Sequence, residues 1–92
     1  MSRIHARLRC CSIRYRQGFF EVTSNTHPGL VNLEAWDVSP DCDLASIEWV
    51  DDDALLDEDV QANTELELTP AEARALGNAL LEAADDAEAE GR

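Results

Sequence analysis

The chain has 92 residues, 7 of them basic and 20 acidic, for a formal net charge of −13 at pH 7. That length suits a single domain over residues 1–92, burying somewhat over ~60% of its unfolded surface, and it excludes a multidomain enzyme with a deep catalytic cavity. A hydrophobic content of 45% is too high for a disordered acidic tail, and no apolar run approaches the ~20 residues of a membrane helix.

The opening MSRIHARLRCC has basic residues with no apolar block behind them, the pattern of a chain without a signal peptide. Ile4, Ala6, Leu8 and Cys10 alternate with Arg3, His5, Arg7 and Arg9, a period of two that predicts a strand. The phase slips at Cys10 and Cys11, and Cys11, Ile13 and Tyr15 then continue the apolar face. One extra residue there predicts a β-bulge in a long strand. Gln17-Gly18 predicts a turn. Residues 19–23 (FFEVT) return as a second strand, and SNTHPG over 24–29 is a loop.

Residues 30–38 (LVNLEAWDV) predict a third strand, SPDCD a turn, and residues 44–50 (LASIEWV) a fourth strand. Trp36 and Trp49 flank that turn and are candidates for a cross-strand aromatic pair. Residues 51–62 read mainly as loop. Residues 64–68 (TELEL) predict a short edge strand, with Glu65 and Glu67 facing outward to discourage edge pairing.

Thr69-Pro70-Ala71-Glu72 is a helix start, with threonine at the N-cap, proline at the first helical position and a glutamate placed to complete a capping box. Behind it Ala73, Leu76, Leu80, Ala83, Ala84 and Ala87 form one apolar stripe. Burying Leu76, Leu80 and Leu81 would contribute about 2 kcal/mol each. The expected fold is α+β in two layers: an antiparallel sheet of four to five strands over about residues 3–68, with one C-terminal helix over about 70–89 packed on one face.

Charge is polarised along the chain. Residues 1–17 hold Arg3, Arg7, Arg9, Arg14 and Arg16 and no acid, while every acid lies beyond them. The densest acidic stretch runs from 41 to 59 and includes Asp51, Asp52, Asp53, Asp57, Glu58 and Asp59. Those five arginines and six acids are the candidate partner-binding residues. Solvated surface is the plainer reading of both groups.

Catalytic chemistry has no foothold in the sequence. GxGxxG, P-loop, HExxH and GxSxG patterns are absent. His27 with Cys42 lacks any indicated base, orienting group and oxyanion hole. Cys10, Cys11, Cys42, His5 and His27 do not have the spacing of a metal site, and the acidic clusters lack the glycine and terminal glutamate of an EF-hand. An odd cysteine count fits reduced thiols in a cytoplasmic protein. The sequence therefore predicts neither catalytic residues, nor a cofactor, nor a metal.

The block LTPAEARALGNALLEAADDAE (68–88) resembles the ending of many small actinobacterial and mycobacteriophage proteins, in which a strand runs into LTP-x-EAR-x-L and then an ALL-x-AAD helix. Here the acid Glu72 follows Pro70 by two. The resemblance covers less than a quarter of the chain, carries no catalytic residue, and implies a phage or actinobacterial accessory protein. The expected function is a non-enzymatic, acidic protein-binding module that modulates a host protein in the cytoplasm. The alternative is an acidic nucleic-acid mimic that blocks a DNA-binding defence or replication enzyme. A homodimer is compatible with both. Net charge −13 argues against direct nucleic-acid binding through the arginines and Tyr15.

Overall fold

Strand formation begins where the period-two pattern begins. In the computed structural model, which describes residues 1–46 and 57–91, β1 spans Arg3–Cys10, β2 Gln17–Ser24, β3 Val31–Val38 and β4 Val60–Leu68, and α1 spans Pro70–Glu90. The strands form one antiparallel sheet in the order β1-β2-β3-β4, so β1 and β4 are its edges. The α+β composition and the edge position of residues 64–68 agree with the sequence reading.

Several local expectations are corrected. The first strand ends at Cys10 instead of bulging there and running on. Cys10 pairs with Gly18 as its last rung, Cys11 turns onto the core cluster, and Arg14–Arg16 form a 3-10 turn closed by Arg16 N donating to Ile13 O. The β1 irregularity falls instead between Ile4 and Ala6. Gln17-Gly18 is not a turn but the start of β2. A Cβ on Gly18 would lie 2.1 Å from the carbonyl oxygen of Trp36, so glycine is there for close strand approach. Residues 44–46 form a 3-10 turn, not the start of a strand. Residues 47–50, with Trp49 and its suggested pairing, lie outside the described residues. β4 begins at Val60, so residues 60–62 belong to the sheet.

The loop between β2 and β3 follows its turn chemistry. Asn25 takes φ 60° and Gly29 φ 82°. The Asn25 side-chain oxygen accepts from Gly29 N at 2.9 Å, and Asn25 N donates to Leu30 O at 2.9 Å.

Pleating sends alternate residues to opposite faces. One face carries Phe19, Trp36, Val38 and Val60. At its lower end Phe19 and Trp36 stack, with centroids 4.4 Å apart and planes 13° apart. Leu44 closes this cluster and is 0% exposed, with Cys11 and Cys42 packed alongside. The Gln17 amide, also buried, donates to Ser39 O and Cys42 O at 2.7 Å each and pegs the loop down.

The capping box forms as the sequence predicts. Thr69 Oγ1 accepts from Glu72 N at 3.2 Å, and Glu72 Oε1 accepts from Thr69 N at 2.9 Å. The expected burial of the helical stripe does not follow. No residue of α1 is buried, and Leu80 and Leu81 are 63% and 68% exposed. Its main contact is with β4, the strand that leads into it, so the helix covers little of the sheet. Only Thr69 separates strand from helix, and the cap fixes the helix's first turn where the strand ends.

Candidate interaction surfaces

The face that bears the core cluster turns polar away from it. Register places Arg7, Glu21, Glu34 and Glu65 side by side across all four strands. Arg7 Nε donates to Glu21 Oε2 at 2.6 Å. Asn63, one rung away, donates from Nδ2 to Glu34 Oε2 at 3.2 Å. Beyond this row Asn32 pairs with Glu67, whose Oε2 lies 2.5 Å from His27 Nδ1. Three glutamates in neighbouring positions repel, and Arg7 at one end of the row is ion-paired with Glu21. α1 is itself acidic, with Glu72, Glu82, Asp85, Asp86, Glu88 and Glu90 against one base, Arg74.

The candidate arginines do not gather into one basic patch. Arg7 is engaged by Glu21. Arg9 reaches toward Leu44 O and Ala45 O at 3.4 and 3.5 Å, and Arg14 donates to Pro40 O at 3.0 Å. Arg9 and Arg14 thus brace the loop over the core. Arg3 and Arg16 are exposed. Of the candidate acids, Glu58 is exposed and Asp59 half-buried, with Asp59 O accepting from Ser39 N at 2.8 Å. Asp57 opens the short 3-10 turn before β4. Asp51, Asp52 and Asp53 lie outside the described residues.

The cysteines are free thiols, with Cys10 exposed and Cys11 and Cys42 half-buried. Burial pushes the Cys42 thiol up from its ordinary range, and the Asp59 and Asp43 carboxylates push it further, against a smaller opposing effect of Arg14. A thiol so placed is a poor nucleophile at neutral pH. Among the described residues, no three His, Cys, Asp or Glu side chains converge as a metal site, and no helix is long and apolar enough to cross a membrane.

The opposite face is apolar. Its rungs read Leu8, Phe20, Ala35, Thr64 and then Ala6, Val22, Leu33, Leu66. Beside them Cys10, Gly18, Asp37 and Ala62 form a rung of short side chains, and the sheet dips there into an open trough of about 260 Å³ with Arg16 at its margin. Leu8 and Leu66 are 59% and 56% exposed. The exposed leucines of this face were legible as an apolar period. That they stay uncovered was not, because covering depends on where the helix goes.

Comparison with family models, curated proteins and solved structures returns no match for this chain.

Proposed function

We propose that the chain is a non-enzymatic binding module that engages another protein through its acidic sheet face. The observation that carries this reading is the rung Arg7-Glu21-Glu34-Glu65. Adjacent like charges cost stability in the free chain. A basic patch on a partner would relieve that repulsion and gain electrostatic steering. The resemblance of residues 68–88 to mycobacteriophage and actinobacterial proteins makes a host protein the partner class, and a phage or prophage accessory protein acting in the host cytoplasm the setting.

Carboxylates fixed on strands also favour a second reading, mimicry of nucleic acid. It is the weaker of the two. The three glutamates span only ~10 Å at the ordinary strand spacing, and Glu21 already has Arg7 as counterion.

The test is capture from mycobacterial lysate on the immobilised chain, compared with a Glu34→Gln/Glu65→Gln variant. A specific protein should be retained at low salt, released as ionic strength rises, and retained less by the variant. Identical retention by both chains, or none by either, overturns the reading. Release of the captured protein by duplex DNA would select the mimic instead.

A further inference from the structure

We infer that a second copy of this chain covers the bare sheet face, laying its α1 across the rungs of Leu8-Phe20 and Leu33-Leu66 while receiving the first copy's α1 in return. The argument starts from area. The chain exposes 6964 Å², whereas a folded monomer of its mass exposes ~5,300 Å². The excess of about 1,600 Å² is at least what one partner contributes to a stable interface, ~800 Å². The radius of gyration agrees, at 14.7 Å against ~12 Å for a compact chain of this length.

Two exposed apolar surfaces of the chain match each other. The sheet offers Leu8, Phe20, Val22, Leu33 and Leu66 on one face. The helix offers Ala73, Leu76 and Leu80, followed by alanines at 83, 84 and 87. A stripe that narrows to alanine suits close approach to the shallow rung of Cys10, Gly18 and Ala62. The helix is about 31 Å long at 1.5 Å per residue, and an eight-residue strand spans about 27 Å, so one helix can run the full length of the face.

Charge fits the same arrangement. Exposed Arg16 stands at the margin of the trough, and on the incoming helix Glu90 borders the alanine end of the stripe, whereas Glu82 and Asp85 lie on the far side. An exchange of helices between two identical chains is a closed twofold contact. It uses the opposite sheet face from the glutamate rung and does not depend on the function proposed above. Each copy carries a net charge of −13, so mutual repulsion opposes the pairing and salt strengthens it.

The experiment is sedimentation or light scattering of the whole chain across a concentration series. The wild type is expected at twice its 10.2 kDa mass, with association tightening as salt rises. Leu80→Glu alters the donor surface and Leu66→Glu the receiving surface, both at positions already exposed in the single chain. Each alone should weaken association by about tenfold or more with an unchanged far-ultraviolet spectrum, while Asn78→Glu on the other side of the helix leaves it intact.

An equal mixture of Leu80→Glu and Leu66→Glu retains one unaltered helix-to-sheet contact and should recover dimer. Should the helix variant lose structure, Leu66→Glu decides alone. Three results overturn the inference. One is a 10.2 kDa wild type at every concentration, which would leave the face to the chain's own helix or to a foreign partner. Another is a dimer indifferent to both substitutions. The third is a mixture that stays monomeric while the wild type dimerises, which would mean that like surfaces meet like.

Discussion

The two faces of one sheet are treated differently by the chain. At the lower end of the first face, Phe19, Val38 and Leu44 are sealed by a loop that Gln17, Arg9 and Arg14 hold in place. On the second face, residues of similar hydrophobicity stand in solvent. The difference lies in what the adjoining chain supplies. The loop after β3 brings back a leucine and two accepting carbonyls within a few residues of the strand it covers. The helix after β4 touches mainly the strand that leads into it and buries none of its own residues. Apolar content alone therefore does not make a core. A covering segment with its own polar anchors does.

Substitutions can sharpen or break this contrast. The largest expected effect is Leu44→Ala, about 2–5 kcal/mol of lost stability by urea denaturation. Leu80→Ala should stay within about 0.5 kcal/mol when the chain is dilute enough to be monomeric. Equal losses at the two sites would erase the distinction. Gly18→Ala comes next, at about 3 kcal/mol, because the added methyl meets the main-chain oxygen of Trp36 and one strand must shift. A thermal melt unchanged from wild type would show that the strands are not so close.

Gln17→Leu should cost about 2 kcal/mol through the two loop carbonyls it leaves without their donor. Faster hydrogen exchange at the Cys42 amide would accompany it. Thr69→Ala should lower helix content and cost about 1 kcal/mol, read from ellipticity at 222 nm. The smallest effect belongs to Cys42. Its folded-state pKa is raised, so the folded chain holds that proton more tightly than the unfolded chain. The resulting stabilisation is complete below the ordinary thiol pKa and is lost as pH climbs through the folded value. Cys42 should also react with a maleimide more slowly than exposed Cys10, and equal rates would contradict its packing.

What could be read from the residues was mostly local. The capping box needed only Thr69 and Glu72 three apart, and it formed as written. The strands at 19–23 and 30–38 carried their own alternation. The failures came where one residue type serves two purposes. Glycine at 18 signals a turn or a close strand crossing, and only the register with Trp36 separates them. The run 44–50 reads as a strand, but Leu44 at its start is spent on capping a cluster built by other segments. Glutamine at 17 looked like turn chemistry because its acceptors lie more than twenty residues away. The glutamate rung was equally hidden, since Glu21, Glu34 and Glu65 become neighbours only through pairing.

A helix with its own cap and no buried residue has little reason to melt with the sheet. In the separated chain, its ellipticity should fade gradually, as in an isolated peptide. Trp36, half-buried and stacked on Phe19, should instead report one sharp cooperative transition. The two probes would then disagree on midpoint and slope, and a two-state fit to either would misstate the unfolding free energy of the chain.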